Sequence, residues 1–156
     1  MENINSQFKQ FQVTEIQLTY KSNVKASSRP MITSSREAYK ILLECWDQDR
    51  IDFIEQFKVL LLSRANKVLG IFKVSSGSST ATVADPKLIF AAAIKANACS
   101  IIVSHNHPSG NPSPSEADKR LTTKLKDGGK ILETPLLDHI IVTREGYYSF
   151  ADEGLL

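Results

Sequence analysis

The stretch that decides the fold runs from residue 99 to residue 118 and reads CSIIVSHNHPSGNPSPSEAD. It begins with an apolar run of strand length, Cys99 to Ser104, which predicts a buried strand. The following loop, His105 to Pro114, contains three prolines and one glycine, residues that interrupt regular structure. Ser115 then opens a polar helix that we expect to reach about Asp127, where Gly128-Gly129 should stop it.

Upstream of this stretch the sequence predicts a strand, a helix and a hairpin. Val13 to Tyr20 alternate between apolar and polar residues, which indicates a half-buried strand. Ser34 to Glu37 have the spacing of a capping box and begin a helix with apolar residues at helical spacing. The dense apolar run Phe57 to Leu62 predicts a central strand, and a turn leads back along Val68 to Val74.

The sequence also predicts elements between the hairpin and residue 99, and after residue 127. Ser75 to Ser79 should be a loop, and Thr80 to Ala84 another strand. Asp85-Pro86 is a strong helix start, and the helix should run to about Asn97. Strands are expected at Leu136 to Val142 and at Tyr147 to Phe150. Hairpins mixed with helix-linked strands predict an α/β (mixed α+β) domain with one mixed sheet and helices packed on it.

Composition limits the functional classes. A chain of 156 residues can bury a sizeable core, and its net charge of +2 gives little reason to expect nucleic-acid binding. The first twelve residues lack the apolar segment of a signal peptide, and no apolar run approaches the roughly 20 residues that a membrane helix needs. We therefore expect a cytoplasmic protein without a membrane partner. Cys45 and Cys99 lie in apolar stretches and are predicted to be buried free thiols.

The two histidines of the loop are candidates for metal binding. Either one alone would more often be structural. His105 and His107, however, are two residues apart at the end of a strand, where alternate side chains share a face. Asp118 lies one turn into the next helix, and the loop can fold it back toward them. Two imidazoles and one carboxylate are a common ligand set for catalytic zinc, which leaves a fourth position for water.

Ser115 has two possible roles. As a helix cap, its side chain would accept a hydrogen bond from the helix backbone. As a catalytic group, its hydroxyl would donate a hydrogen bond to the oxyanion of a tetrahedral intermediate. The residues alone leave these two roles open.

The spacing of these residues resembles a known motif. The spacing matches the JAMM pattern of JAB/MPN metallopeptidases, which is His-x-His, seven residues, Ser, two residues and Asp. The fuller string from His105 to Asp118, followed by Leu137-Asp138-His139, resembles the bacterial RadC-like branch of that family. The resemblance runs from about Phe57 to the last residue. It suggests a division into an N-terminal strand and helix at 1–50 and a RadC-like JAB/MPN domain at 51–156.

The resemblance implies a fold, a cofactor and an activity. The fold would be an MPN/JAB-type mixed sheet flanked by helices, with cytidine-deaminase-like layering. One zinc ion would be bound by His105, His107 and Asp118, with Ser115 as the oxyanion donor. The reaction would be hydrolysis of amide or isopeptide bonds in an unidentified peptide or protein substrate. The RadC-like branch also carries a DNA-repair label.

The resemblance further implies a glutamate on an upstream strand that acts as general base. We expect it in the strand before the Gly/Ser loop, but Val68 to Val74 contain no carboxylate. Lys73 or Phe72 occupies the expected position, and we favour Lys73. A lysine cannot act as a base while it is charged. On this interpretation Lys73→Glu should raise the activity.

Three carboxylates elsewhere could replace the missing glutamate: Glu55, Glu44 and Asp138. Without one of them the site would bind metal but hydrolyse slowly or not at all. Asp138 and His139 could also form a buried pair in which the carboxylate orients the imidazole, or lie just behind the metal ligands.

Three functional hypotheses follow. The first is a zinc-dependent peptidase or isopeptidase, which the intact motif favours. The second is a metal-binding but catalytically impaired module that works through a protein partner, which Lys73 favours. The third is a DNA-processing protein of a mobile element. Such a protein could bind DNA phosphates through a basic helix face, which in the alternative interpretation is simply solvated. The face is formed by Lys119, Arg120, Lys124, Lys126 and Lys130.

Overall fold

A central mixed sheet organises the molecule, as the computed structural model shows for residues 13–79 and 82–156. Its five strands are β1 (Gln56–Leu62), β2 (Val68–Ser76), β3 (Ser100–Asn106), β4 (Leu136–Val142) and β5 (Tyr147–Ser149), in the order β2-β1-β3-β4-β5. β3 pairs with β1 in the antiparallel sense and with β4 in the parallel sense. Every residue of β1 and β3 is buried, which explains the apolar residues that dominate their middle parts. The predicted mixed sheet is confirmed.

Helices cover both faces of the sheet. α1 (Ser35–Glu44) packs on one face, where Ala38 and Leu42 meet Leu60 and Leu62 of β1. The other face carries α2 (Pro86–Lys95) and α3 (Glu116–Ile131). We call the two sides the α1 face and the α2–α3 face. Because side chains alternate along β1, each face receives its own apolar cluster.

The helix starts follow the predicted capping. The side chain of Ser34 accepts a hydrogen bond from the backbone N–H of Glu37 at 3.3 Å. The side chain of Asp85 accepts one from Lys87 at 2.9 Å, with Pro86 as the first residue of α2. These caps satisfy backbone donors that have no partner inside the helix.

The predicted end of α3 was wrong. Gly128-Gly129 lie inside the helix, which continues to Ile131. A Cβ on Gly129 would lie 2.7 Å from the carbonyl oxygen of Thr134. The glycine therefore allows the helix to approach the chain that leads into β4, and it does not terminate the helix.

Other boundaries also differ from the prediction. Val13 to Tyr20 do not form a strand and are exposed, so alternation did not place them in the sheet. Of the strand predicted at Thr80 to Ala84, two residues lie outside the described residues, and Thr82 to Ala84 are not in a strand. His105 and Asn106 belong to β3 because their pairing with β4 continues to the end of the strand.

The two cysteines are free, as predicted, but both are exposed. Cys45 caps the end of α1, and Cys99 lies in the connection just before β3. Trp46 and Ile101 nearby are buried, but Cys45 lies at the end of a helix and Cys99 lies before a strand, and both are exposed there. Among the helices of residues 13–79 and 82–156, none is long and apolar enough to cross a membrane.

Candidate metal centre and its cavity

The carboxyl end of β3 brings the two histidines of the motif together. His105 is 1% exposed and lies opposite Phe57 of β1, on the α2–α3 face. Its ring stacks on that of Phe57 with 5.9 Å between ring centroids. His107 follows just beyond the strand, and the Nε2 atoms of the two histidines are 3.0 Å apart. The predicted common face is confirmed.

Asp118, in the first turn of α3, completes the group. Its Oδ1 lies 3.2 Å from Nε2 of His105, and its Oδ2 lies 3.8 Å from Nε2 of His107. The three side chains offer ligand atoms that all lie within 4.8 Å of one another. The structure thus assembles the three residues that the sequence singled out for metal binding.

The protonation pattern of His107 tests whether this group fits a cation. Its Nδ1 lies 2.7 Å from the carbonyl oxygen of Asn111, which can only accept a hydrogen bond. Nδ1 therefore carries a hydrogen, and Nε2 is the nitrogen that faces His105 and Asp118 and can bind a metal ion. Burial alone would raise the pKa of Asp118, but His105 and Ser115 bring it far below its usual range. An ionised carboxylate and an imidazole lone pair fit a divalent metal ion.

Ser115 acts as the cap of α3. Its hydroxyl oxygen accepts a hydrogen bond from the N–H of Asp118 at 3.1 Å and donates one to Oδ2 of Asp118 at 2.7 Å. The N–H of Ser115 donates to the same Oδ2 at 2.7 Å, which completes a capping box. The structure therefore realises the capping role and also holds the hydroxyl beside the proposed metal ligand.

A cavity of about 410 Å³ opens at this group. Glu55 lies on its wall together with His107, Ser115 and Asp118. Burial raises the pKa of Glu55, the two histidines lower it, and the charge of Asp118 raises it again. A carboxylate therefore lies at the site, just before β1, and not on β2 where we expected it.

The residues proposed for the missing position lie elsewhere. Lys73 is exposed and pairs across the sheet with Lys58, which contacts Trp46 on the α1 face. Directly opposite residues share a face, so Lys73 points away from His105. Phe72 shares the face of the site but lies opposite Val59, two residues along β1 from the partner of His105. Lys73, which we favoured for the expected position, therefore does not face the site, and Phe72 shares that face without lying opposite the motif.

Two of the three substitute carboxylates are excluded by their positions. Glu44 is the last residue of α1, which covers the opposite face of the sheet. Asp138 also points to that face, where it lines a cavity with Ile32 and Ser34. Glu55 alone of the three reaches the cavity of the motif residues.

Asn106 holds the segment that carries Glu55. Its side-chain oxygen accepts a hydrogen bond from the N–H of Gln56 at 2.7 Å. Its side-chain nitrogen donates to the carbonyls of Ile51 at 2.6 Å and Ile54 at 2.9 Å. Sequence reasoning missed this role, although an amide between two histidines at the end of a buried strand was a usable signal.

His139 lies behind the candidate metal ligands and contacts His105. It is fully buried, and its Nε2 lies 2.9 Å from Nδ1 of His105. Burial brings the pKa of His139 well below its usual range, so this imidazole is neutral. Asp138 does not orient the ring, because it accepts hydrogen bonds from the Ser149 hydroxyl at 2.6 Å and from the backbone N–H of His139 at 2.7 Å. The predicted position behind the ligands thus holds for His139 and not for Asp138.

Comparison with known proteins gives consistent matches. The model of the RadC-like JAB domain family matches residues 32–155. A "UPF0758 protein" of Flavobacterium johnsoniae is 42% identical over 126 residues, which cover 80% of this chain and 53% of the relative. A "UPF0758 protein" of Thermotoga maritima is 42% identical over 125 residues, covering 80% of this chain and 54% of the relative. The chain spans about half the length of the curated relatives that it matches.

Proposed function

Because this chain belongs to the RadC-like JAB domain family, we propose that it is a zinc-dependent hydrolase of amide or isopeptide bonds in a peptide or protein substrate. The observation that carries the proposal is the position of Glu55. It lines the same cavity as His107, Ser115 and Asp118. A metal-ligand group and a separate carboxylate in one cavity are the parts that metal-assisted hydrolysis requires.

The ion would be held by Nε2 of His105, Nε2 of His107 and a carboxylate oxygen of Asp118. Zinc in such a three-ligand site has a free position for water and lowers the pKa of that water to about 7. The protein contributes the geometry, because β3 and the first turn of α3 bring the ligand atoms together without the ion.

Glu55 is the general base of this proposal. It would accept a proton from the attacking water and pass it to the nitrogen of the leaving group. The raised pKa that burial gives its carboxyl suits a group that must both take up and release a proton. Its backbone is held from both sides, since its N–H donates to Ser78 at 2.9 Å and its carbonyl accepts from Gly77 at 2.8 Å.

Ser115 is the candidate oxyanion donor. Its hydroxyl lies at the cavity wall and donates to Oδ2 of Asp118. During the reaction it would donate instead to the negative charge that develops on the scissile carbonyl oxygen. The backbone N–H of Ser115 would keep its own hydrogen bond to Asp118, so the cap would persist.

The impaired binding module has lost its main support. That hypothesis rested on Lys73 in place of a catalytic carboxylate, and Lys73 lies on the opposite face of the sheet. We therefore favour the hydrolase, and we propose a peptide or protein substrate over nucleic acid because the net charge is only +2.

The test compares Glu55→Gln with Glu44→Gln, a matched change at an exposed glutamate on the other face. Zinc-loaded proteins would be incubated with a library of peptides and lysine isopeptides, and new ends would be identified by mass spectrometry. Glu55→Gln should retain zinc and lower the cleavage rate by roughly 10²–10⁴-fold, the usual contribution of general acid–base catalysis. His107→Ala should lose the zinc. Equal cleavage by the two glutamate variants would refute the role of Glu55.

A further inference from the structure

Two metal ligands are also connected through buried side chains outside the motif. Thr122 Oγ1 lies 2.7 Å from the carbonyl oxygen of Asp118 and 2.7 Å from Nδ1 of His139. Nε2 of His139 lies 2.9 Å from Nδ1 of His105. Thr122 is 2% exposed, and His139 is fully buried. The contacts form a path from the backbone of Asp118 to the ring of His105.

The direction of each hydrogen bond along this path is determined by its first member. A carbonyl oxygen can only accept, so the single hydroxyl hydrogen of Thr122 points to Asp118. The oxygen of Thr122 then accepts from Nδ1–H of His139. A neutral imidazole has one N–H, so Nε2 of His139 must accept from Nδ1–H of His105. Nδ1 of His105 is therefore the nitrogen that faces His139, and Nε2 is the nitrogen left to face Asp118, at 3.2 Å, and a metal ion.

The opposite direction of the hydrogen bonds along this path is unfavourable. If Nδ1 of His105 carried no hydrogen, His139 would have to donate through Nε2 and accept at Nδ1 from Thr122. The contact of 2.7 Å between Thr122 Oγ1 and the carbonyl oxygen of Asp118 would then have no hydrogen. Thr122 is 2% exposed, so water would not readily compensate for the lost hydrogen bond.

We propose that Thr122 and His139 are positioning residues that hold Nδ1–H of His105 toward His139, so that Nε2 is the nitrogen that binds the metal ion. This inference rests on the metal site of the proposed function. His139 is itself held in place, because its ring stacks on Phe150 with 4.7 Å between centroids and 11° between planes. The orientation of a ligand imidazole by a hydrogen bond to its other nitrogen is a general feature of metal sites.

The test uses Thr122→Val, which keeps the side-chain shape and removes the hydroxyl. Thr122→Ser restores the hydroxyl. Thr123→Val is the matched control, because the exposed Thr123 makes the same type of bond to the Lys119 carbonyl at 3.1 Å. Zinc affinity would be measured by competition with a chromophoric chelator. Whether Nδ1 of His105 carries a hydrogen would be read from ¹⁵N NMR of the metal-free protein.

Thr122→Val should weaken zinc binding by about 10–100-fold and give a mixture of His105 tautomers, whereas Thr122→Ser and Thr123→Val should resemble the parent protein. Equal zinc affinity for the two valine variants, or a His105 Nδ1 without a hydrogen in the parent protein, would overturn the inference. Neither readout requires hydrolysis. A protein that shows this variant pattern and cleaves nothing would refute the proposed activity alone, and one that binds no zinc would refute both proposals.

Discussion

Asn106→Ala should be among the most damaging single substitutions outside the metal ligands. Asn106 is fully buried, and it connects the end of β3 to the segment before β1 through three hydrogen bonds. Alanine would leave the N–H of Gln56 and the carbonyls of Ile51 and Ile54 without those partners. Gln56 and Ile51 are themselves buried, so water cannot readily replace the lost bonds.

The expected loss follows from these contacts. One hydrogen bond contributes about 0.5–1.5 kcal/mol net, and each buried group left without a partner costs about 1–3 kcal/mol. With three bonds lost and at least two buried groups left without a partner, we expect the free energy of unfolding to fall by about 3–5 kcal/mol. That is a large part of the roughly 5–15 kcal/mol of a typical domain. Catalysis should decline as well in the folded fraction, because Glu55 lies in the released segment.

The measurement is urea unfolding of the metal-free protein, followed by the fluorescence of Trp46, the single tryptophan of the chain. Trp46 is 3% exposed, so its emission should report loss of the core. Asn111→Ala is the control, since the exposed Asn111 side chain accepts only a local hydrogen bond from Ser113 at 3.0 Å. If Asn106→Ala loses no more stability than Asn111→Ala, the assigned role of Asn106 is refuted.

Three further predictions concern packing, the sheet face and pH. Gly129→Ala should destabilise the protein by about 1–3 kcal/mol in urea unfolding because its Cβ would clash with backbone, whereas Gly128→Ala would meet only the Phe90 ring and should cost less. Lys73→Glu should leave zinc affinity and cleavage rate unchanged, and a higher rate would contradict the face assigned to it. Burial raises the pKa of Asp138, so its contribution to stability is complete below the usual carboxyl pKa and is lost as the pH rises through the raised value. Asp138→Asn should therefore flatten the dependence of unfolding free energy on pH in that window, and an unchanged slope would argue against this carboxyl as its source.

Local spacing explains what could be predicted about the centre. His105 and His107 are two residues apart, and this spacing alone places both on one side of an extended strand. The serine cap and Asp118 lie within the first turn of the next helix, so their geometry is also local. The five strands of the sheet and the three α-helices followed from periodicity and cap residues for the same reason, although alternation also predicted a strand at Val13 to Tyr20 that does not form.

The position of the second carboxylate depended on long-range contacts. Glu55 reaches the centre because β1 lies next to β3, with Phe57 opposite His105 across 48 positions of sequence. On β2 the face of Lys73 could not be obtained by counting, because two register irregularities interrupt the pairing with β1. A bulge of one residue reverses the alternation of side chains between the faces.

By itself, the sequence determined the strand–loop–helix unit and its three metal-ligand candidates, since these depend on the helix and strand repeats of adjacent segments and the candidates lie within the 14 residues from His105 to Asp118. Only the tertiary structure decided which carboxylate accompanies them, which face Lys73 occupies, and that Thr122 and His139 lie behind His105. Those facts depend on strand pairing and helix packing between segments far apart in sequence, where one residue of register changes the face that a side chain occupies.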